Sequence, residues 1–361
     1  MKERPDDAIN LEDRDIFNYY IEKRQATVTE NSSREYTSAL SKFQVFLEQT
    51  GYSVDTLGLD ESIEFMQWLK SREELKENTA ERYARRVSNM VTWYVERGYF
   101  EWNPIQRAWE QTNFKTTESS RRPEIPLPDL RQAINSVSND TLFIALMIML
   151  KLGTRKSETI NLDERDVNID HQVSRFKDNP RPELTDQPDT IFIPSDIREY
   201  QSYNGEYRTR GNKRSRDTYI PLDNELKRTL IWWFGTAPKS QSPGKAVVRG
   251  VSGPTMGLRW SGSHLGTKFA EWARKNGFRV EDADPSNNVT PHWTRHFFTT
   301  HLKNRVTPED LNGQTQPRYY VKSLRGDSGS DVIDVYLHEW GENDWKRQAY
   351  LDNIPKLLIH D

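Results

Sequence analysis

The chain has 361 residues, of which 34% are hydrophobic and 29% are charged. That length suits two domains or one large one, and the composition is that of a polar globular protein. The sequence contains no cysteine, which excludes disulfides, thiolate nucleophiles and cysteine-based zinc sites. A reducing, cytoplasmic location is therefore predicted, and the N-terminal sequence MKERPDDAIN lacks the apolar stretch of a secretory signal.

The charge is unevenly distributed along the chain. The formal net charge is −3, which argues weakly against a nucleic-acid partner. Residues 1–120 contain 16 Lys and Arg against 22 Asp and Glu, whereas residues 121–361 contain 35 against 32. Local basic patches for a polyanion can therefore lie on an acidic background. The longest apolar run, Leu142–Leu150, is much shorter than the ~20 residues that span a bilayer, so a buried helix in a soluble protein is predicted.

The first part of the chain has a helical pattern. Residues 1–14 are predicted to form a flexible tail, and residues 15–114 a bundle of about four helices. One helix is predicted to begin at the cap residues Asn31–Ser33, a second to cover Ser62–Leu69, and a third to run from Asn78 to a glycine at position 98.

The third helix of this bundle also carries three arginines. Arg82, Arg85 and Arg86 lie on the face opposite the apolar stripe. A charged face of this kind is either an ordinary solvated surface or a surface that contacts phosphates. Nothing nearby in the sequence decides between the two.

Residues 115–127 are predicted to form a linker, because they combine Ser, Thr and Pro without any apolar period. The second domain is predicted to cover residues 128–361. Its pattern indicates helices at 129–137 and 140–152 and short strands at 191–193 and 218–220. The predicted fold class is therefore mainly α with a small antiparallel β-sheet, an α+β architecture.

An arginine follows the most apolar helix. Gly153 is expected to end that helix, and the next helix is expected to start at Thr154 or Arg155. Glu158 lies three residues after Arg155, within reach to orient its guanidinium. By itself this motif is also compatible with an ordinary surface arginine in a tight turn.

A second basic motif lies at a predicted helix start. Thr290 is expected at the N-cap and Pro291 at the first helical position. His292 and Arg295 then share a face in the first turn, where free backbone N–H groups and the helix dipole favour a phosphate. A metal pair of His292 and His296 is an alternative, although the glutamate of a zincin helix is absent.

A basic segment lies between these two motifs. Residues 205–216 contain one acidic residue and five cations, which are Arg208, Arg210, Lys213, Arg214 and Arg216. Such a run is often a solvated loop, but in a chain of negative net charge it favours a surface that contacts DNA phosphates.

The order of these motifs resembles that of the tyrosine recombinase (phage integrase) family, in an archaeal-type variant. LGTRKSETINL at 152–162 is similar to the family's first arginine motif, and TPHWTRHFFTTHL at 290–302 to its His-x-x-Arg box. LRGDSGSDVIDVYLH at 324–338 is similar to the segment that ends in the nucleophilic tyrosine. The resemblance covers residues 125–355, and the helical N-terminal domain corresponds to the family's core-DNA-binding domain.

The resemblance implies a role for each matching residue. Arg155 and Arg295 would hold the scissile phosphate, His292 would be the family's first histidine, and Tyr336 the nucleophile. The family's lysine lies in a hairpin, for which residues 206–221 are the candidate. Lys213 is the lysine there, although the family's spacing would place Arg210 at that position.

Two positions leave alternatives open. Asp327 stands nine residues before Tyr336, where the family usually has His or Trp. This departure allows a weakly active or inactive DNA-binding protein of the same fold. Tyr350 is a rival nucleophile, although its interval from Asp327 is far longer than the family's.

The resemblance implies a site-specific recombinase that cleaves and rejoins duplex DNA through a 3′-phosphotyrosyl intermediate. It implies no cofactor, neither metal nor ATP, because the energy of the phosphodiester bond is kept in the protein–DNA link. Duplex attachment sites are the expected partner, with a synaptic tetramer on DNA. A type IB topoisomerase-like activity would use the same residues.

Overall fold

The protein is described by a computed structural model that covers residues 15–25, 30–115, 122–280, 288–327 and 344–359. The chain divides into two compact units, Met1–Ser119 and Ser120–Asp361. The predicted domain bounds, 15–114 and 128–361, stay predictions, and the predicted tail at 1–14 lies outside the described residues. In the described ranges, no helix is long and apolar enough to cross a membrane.

The N-terminal unit has five helices among its described residues: α1 Ile16–Gln25, α2 Glu30–Thr50, α3 Leu59–Lys70, α4 Glu77–Val95 and α5 Pro104–Gln111. Buried residues of α4 recur every three or four positions from Ala80 to Tyr94, which places them on one face. Helix α2 already includes Glu30. The start predicted at Asn31–Ser33 is therefore slightly late, because cap-forming residues are also tolerated inside a first turn.

The C-terminal unit has eight helices among its described residues: α6 Leu127–Asn135, α7 Asp140–Leu152, α8 Lys156–Asn161, α9 Asn224–Thr236, α10 Gly262–Lys275, α11 Pro291–Arg305, α12 Pro317–Leu324 and α13 Asp344–Asn353. Every residue of α7 except Asp140 and Phe143 is buried. Helices α9, α10 and α11 pack against it, so α7 is the centre of this unit's core. The helix predicted at 140–152 is confirmed.

Two small sheets complete the C-terminal unit. Strands β1 Val167–Asn168, β2 Thr190–Ile193 and β5 Thr218–Pro221 form an antiparallel sheet in the order β1-β2-β5. The two strands predicted from the sequence are therefore neighbours in one sheet, β2 and β5. Strands β3 Gln201–Tyr203 and β4 Glu206–Arg208 form a separate antiparallel hairpin.

The prediction that residues 206–221 form one hairpin is wrong. Asn204 and Gly205 have φ angles of 50° and 72°, which a tight turn of the I′ type requires. This turn folds β4 back onto β3, so the basic segment after it becomes a connection between β4 and β5. The fold class itself is confirmed: the described chain is mainly helical with small antiparallel sheets.

Candidate active site

The first arginine of the site is fixed by the break between α7 and α8. Gly153 has a φ of 60° and ends α7, and Arg155 is the N-cap residue of α8. The backbone N–H of Arg155 donates to Glu158 Oε2 at 2.9 Å, and its Nη1 donates to Oε1 at 2.7 Å. The predicted orientation of Arg155 by Glu158 is therefore present.

The second arginine comes from the first turn of α11. Thr290 occupies the N-cap position and Pro291 begins the helix. Arg295 is only 1% exposed, and its Nη1 donates to Gly153 O at 2.8 Å. The carbonyl of the residue that ends α7 therefore holds the guanidinium of α11, and this contact brings the two sequence motifs together.

Glu158 is the buried centre of a group of arginines. Arg214 Nε lies 3.3 Å and Arg295 Nη1 lies 3.8 Å from Glu158 Oε2. Burial raises the pKa of the Glu158 carboxyl, but the charges of Arg214, Arg295 and Arg155 outweigh it, and the pKa lies below its ordinary value. Glu158 is therefore ionised at neutral pH.

A second carboxylate links the same arginines at the surface of the site. Asp327 Oδ1 accepts from Arg155 Nη2 at 3.0 Å and from Arg295 Nη2 at 2.6 Å. Its Oδ2 lies 2.9 Å from Arg325 Nη2. Burial raises the pKa of Asp327, but the charges of Arg295, Arg325 and Arg155 lower it by more, so the carboxyl stays ionised.

These side chains are called the arginine cluster below: Arg155, Arg214, Arg295 and Arg325 around Glu158 and Asp327. Four guanidiniums thus face two carboxylates. Among the described residues, Arg214 Nη2 and Arg295 Nε have no hydrogen-bond acceptor although they are buried. A site with excess positive charge and unused donors is suited to an anion that accepts several hydrogen bonds, such as a phosphodiester.

His292 lies on the exposed part of the first turn of α11. Loss of hydration around its ring and the charges of Arg122 and Arg295 lower its pKa. The ring of His296 lies one turn further along, with a centroid 4.9 Å away. Burial and the same positive surroundings lower its pKa to about 4. Both imidazoles are therefore neutral at pH 7, and His292 can donate or accept a proton.

Known proteins resemble this chain in sequence and in fold. Residues 14–114 match the phage integrase SAM-like domain family. The tyrosine recombinase XerC of Escherichia coli O1:K1 / APEC is 22% identical over 251 residues, which cover 67% of this chain and 66% of the relative. XerC of E. coli strain K12 / DH10B gives the same values. The match thus spans just under two thirds of these relatives.

Two solved structures share the fold. A lambda integrase fragment, solved as a dimer bound to a COC′ core site, has a TM-score of 0.57 and 13% identity, with 90% of this chain and 96% of that chain covered. The Tn1549 transposon integrase, in complex with transposon right end DNA, has a TM-score of 0.59 and 18% identity, with 89% and 96% covered.

The chain is therefore similar in sequence to the tyrosine recombinase XerC and shares the fold of these integrases.

Lys213 and Arg210 lie on an anchored segment between β4 and β5. Asn161 Nδ2 donates to Arg210 O at 2.8 Å, and the Arg210 side chain donates to Glu199. A Cβ at Gly211 would lie 2.8 Å from a backbone oxygen, that of Ile197, so glycine allows the close approach. Lys213 itself is exposed. The choice between Lys213 and Arg210 stays a prediction.

Two cations of the basic segment do not face solvent. Arg208 is 1% exposed, and its Nη2 donates to both carboxylate oxygens of Asp163 at 2.7 and 2.8 Å. Arg214 is 4% exposed and donates through Nη1 to Leu324 O at 3.1 Å. Their predicted role as surface DNA contacts is wrong in this structure, because buried acceptors from distant parts of the chain enclose both guanidiniums. Arg216 is partly exposed, and its role stays a prediction.

The three arginines of α4 differ in their surroundings. Arg82 is exposed. Arg85 is exposed too, and it pairs with Glu81 at 2.5 Å. Arg86 is half-buried, and its guanidinium lies 4.6 Å from the centre of the Tyr36 ring. Arg86 therefore stabilises the bundle, whereas Arg82 and Arg85 present their charges to solvent.

The two candidate tyrosines also differ. Tyr336 lies outside the described residues. Tyr350 is fully buried, and its hydroxyl donates to Lys151 O at 2.8 Å. Burial raises the pKa of this phenol well above its ordinary value. These surroundings argue against Tyr350 as a nucleophile.

Sequence reasoning missed two cations near the site, Arg122 and Arg325. Arg325 contacts Asp327 directly, and Arg122 is close enough to lower the pKa of His292. Arg325 stands two residues before Asp327 in the LRGD sequence. Arg325 could therefore have been recognised as a site residue from its proximity to Asp327 in the sequence. Arg122 lies in the predicted linker, and no nearby motif connected it with α11.

Proposed function

We propose that this chain is a site-specific recombinase that breaks and rejoins duplex DNA. The Tyr336 hydroxyl attacks the scissile phosphorus, a 3′-phosphotyrosyl bond forms, and the bond to the 5′ oxygen breaks. The leaving oxygen takes a proton from the basic segment, with Lys213 as the donor; if Arg210 occupies that position instead, its guanidinium stays protonated and can only hydrogen-bond to this oxygen. A 5′ hydroxyl of the partner strand then attacks the phosphotyrosyl bond and releases Tyr336.

The observation that carries this proposal is the shared contact at Asp327. Arg155 and Arg295 come from helices 140 residues apart in the sequence, yet both donate to one oxygen, Asp327 Oδ1. One anion can therefore be held by both guanidiniums at once. Two fixed, always protonated groups of this kind stabilise the charge that develops on a phosphate in the transition state.

The remaining roles follow from the chemistry of the attack. A phenol with a pKa near ~10 is mostly protonated at neutral pH, so it needs neighbouring cations and a proton acceptor to react. His292, neutral at pH 7 and beside Arg295, suits proton transfer at this site. The DNA bond energy is conserved in the phosphotyrosyl link, so the proposed reaction requires neither a metal nor ATP.

We infer that duplex DNA is the partner and that the working assembly is a tetramer. Among the fold neighbours, lambda integrase has been solved as a tetramer bound to a Holliday junction. Arg82 and Arg85 of the N-terminal unit and Arg210 and Arg216 of the C-terminal unit are the proposed phosphate contacts. A cytoplasmic location fits a chain without cysteine that acts on DNA.

The test is covalent trapping on nicked duplexes that carry candidate attachment sequences. Wild-type protein should form a denaturant-resistant DNA adduct, and Tyr336→Phe should bind the same duplexes without forming one. Tyr350→Phe is the matched control and should retain the adduct. Equal adduct levels for wild type and Tyr336→Phe would exclude Tyr336 as the nucleophile, and peptide mapping would then locate the linked residue.

Two alternatives predict other outcomes. A catalytically inactive DNA-binding protein would give no adduct with any duplex despite binding. A topoisomerase-like enzyme would relax supercoiled plasmids regardless of their sequence. The sequence similarity to XerC and the fold similarity to integrases favour neither of these two alternatives.

A further inference from the structure

Asp327 occupies the place in the arginine cluster that an anionic ligand would use. Its Oδ1 accepts from Arg155 at 3.0 Å and from Arg295 at 2.6 Å, and its Oδ2 lies 2.9 Å from Arg325 Nη2. These are the strong, charge-assisted contacts that a non-bridging phosphate oxygen would make with the same donors.

Carboxylate and phosphate cannot share these donors. Arg155 Nη2 and Arg295 Nη2 both point at Asp327 Oδ1, so a phosphate oxygen held by both must take the position of that atom. Two anions within a few ångströms also repel each other strongly in a partly buried site. Entry of a phosphate therefore requires Asp327 to leave.

We propose that Asp327 is a built-in competitor, whose carboxylate fills the anion site in the DNA-free chain and is displaced by the phosphate of DNA. The proposal rests on the proposed function for the identity of that phosphate. It gives Asp327 two effects: it holds Arg155 and Arg295 in position before DNA binds, and it weakens the binding of stray anions.

The surroundings of Asp327 allow this displacement through its side chain. The carboxylate is 21% exposed and Arg325 is 25% exposed, so both can turn outwards together and remain paired. The backbone before Asp327 is held, because Ser215 donates to Gly326 O through both its N–H and its hydroxyl at 3.0 Å. Rotation of the side chain therefore suffices, without movement of α12.

The experiment measures binding of inorganic phosphate to the full chain without DNA, by calorimetry at fixed ionic strength. Asp327→Asn keeps the shape of the side chain and removes its charge, so phosphate affinity should rise about tenfold or more. Asp352→Asn is the matched control, since it removes one charge from an exposed position on α13, and its affinity should stay within twofold of wild type. A change of less than twofold for Asp327→Asn would overturn the proposal.

Two further variants keep the result interpretable. Asp327→Ser repeats the measurement with a smaller side chain if the asparagine variant folds poorly, as judged by circular dichroism. The double variant Arg295→Lys, Asp327→Asn should bind phosphate no more tightly than wild type. That result would show that the additional phosphate binds in the arginine cluster. A gain that persists in this double variant would place phosphate elsewhere and contradict the proposal.

The trapping assay separates this inference from the proposed function. Tighter phosphate binding by Asp327→Asn without an adduct from any variant would support the competitor and contradict the recombinase. A covalent adduct from wild type, together with unchanged phosphate binding in Asp327→Asn, would support the recombinase and contradict the competitor.

Discussion

Two of the buried ionic groups in the C-terminal unit differ in how completely their hydrogen bonds are used. In the first, Lys151 Nζ is fully buried and donates to Asp223 Oδ2 at 2.7 Å, Glu225 Oε2 at 2.6 Å and Pro355 O at 2.6 Å. An ammonium has three donors, so every one is used. This group, called the Lys151 cluster, ties α7 to α9 and to the segment after α13.

The arginine cluster is the opposite case. It has twice as many guanidiniums as carboxylates, and among the described residues several of its buried N–H groups lack an acceptor. Buried charges are costly unless they are paired and hydrogen-bonded. The complete pairing of the Lys151 cluster suits a structural role, whereas the excess charge of the arginine cluster suits the phosphate that we propose as its ligand. Four predictions test this difference.

The largest effect is expected from Lys151→Met. This substitution leaves Asp223 and Glu225 buried without their cation, and breaking a buried pair in this way destabilises a protein by about 3–5 kcal/mol. The free energy of unfolding of the full chain in urea measures the loss. Lys303→Met, at an exposed position of α11, should stay within about 0.5 kcal/mol of wild type. If Lys151→Met lowers the free energy of unfolding by less than about 1 kcal/mol, the Lys151 cluster does not have the structural role described here.

Arg295→Lys should chiefly affect the reaction. An ammonium cannot reproduce a planar fork that contacts Gly153 O, Arg325 O and Asp327 together. Loss of one such donor typically lowers the rate by about 10²–10³. Single-turnover formation of the covalent DNA adduct measures it, with Arg305→Lys at the exposed end of the same helix as control. A rate within tenfold of wild type would show that Arg295 does not hold the phosphate.

Gly153→Ala tests the junction on which Arg295 depends. Gly153 has a φ of 60°, and an added Cβ would lie 2.4 Å from the buried ring of Phe298. Gly313 has a φ of 67° with nothing within 4 Å of such a Cβ, so Gly313→Ala has the same backbone strain without the clash. The unfolding free energy of Gly153→Ala should fall by about 1–3 kcal/mol more than that of the control. Equal losses would mean that the ring of Phe298 moves aside freely.

The smallest effect is the pH dependence contributed by His296. Burial and the positive surroundings lower its pKa from 6.5 to about 4, so the unfolded chain binds this proton at a higher pH than the folded chain does. Stability should therefore fall as the pH drops from about 7 towards 4. NMR titration of the ring should give a midpoint well below 6.5, and His296→Gln should flatten the stability profile in that window. A midpoint at or above the ordinary value would contradict the positive field of the arginine cluster at α11.

Local chemistry made several features of the fold predictable. Thr290 and Pro291 marked the start of α11, Gly153 the end of α7, and the apolar pattern the buried helix at 140–152. Each signal depends on residues within one or two turns of each other, so a single sequence contains it. The neighbouring strands β2 and β5 were recognisable for the same reason, although their pairing was not.

Burial of charge was not predictable in this way. Arg208 and Arg214 look like solvated cations in the sequence, but Asp163 and Leu324 enclose them from 45 and 110 residues away. Arg325 was marked only by its proximity to Asp327 in the LRGD sequence, and Arg122 had no local signal. Whether a charged side chain faces solvent depends on partners that the folding of the whole unit brings near.

The sequence by itself determined where α7 ends and where α11 begins, the order of the motifs, and the residue types that a phosphate site needs. Only the tertiary structure showed which of those cations contact the same anion. It also showed that the carboxylate of Asp327 occupies the position between Arg155 and Arg295. The physical reason is that propensity, capping and periodicity act over a few residues, whereas electrostatic pairing acts through space between segments far apart in the chain.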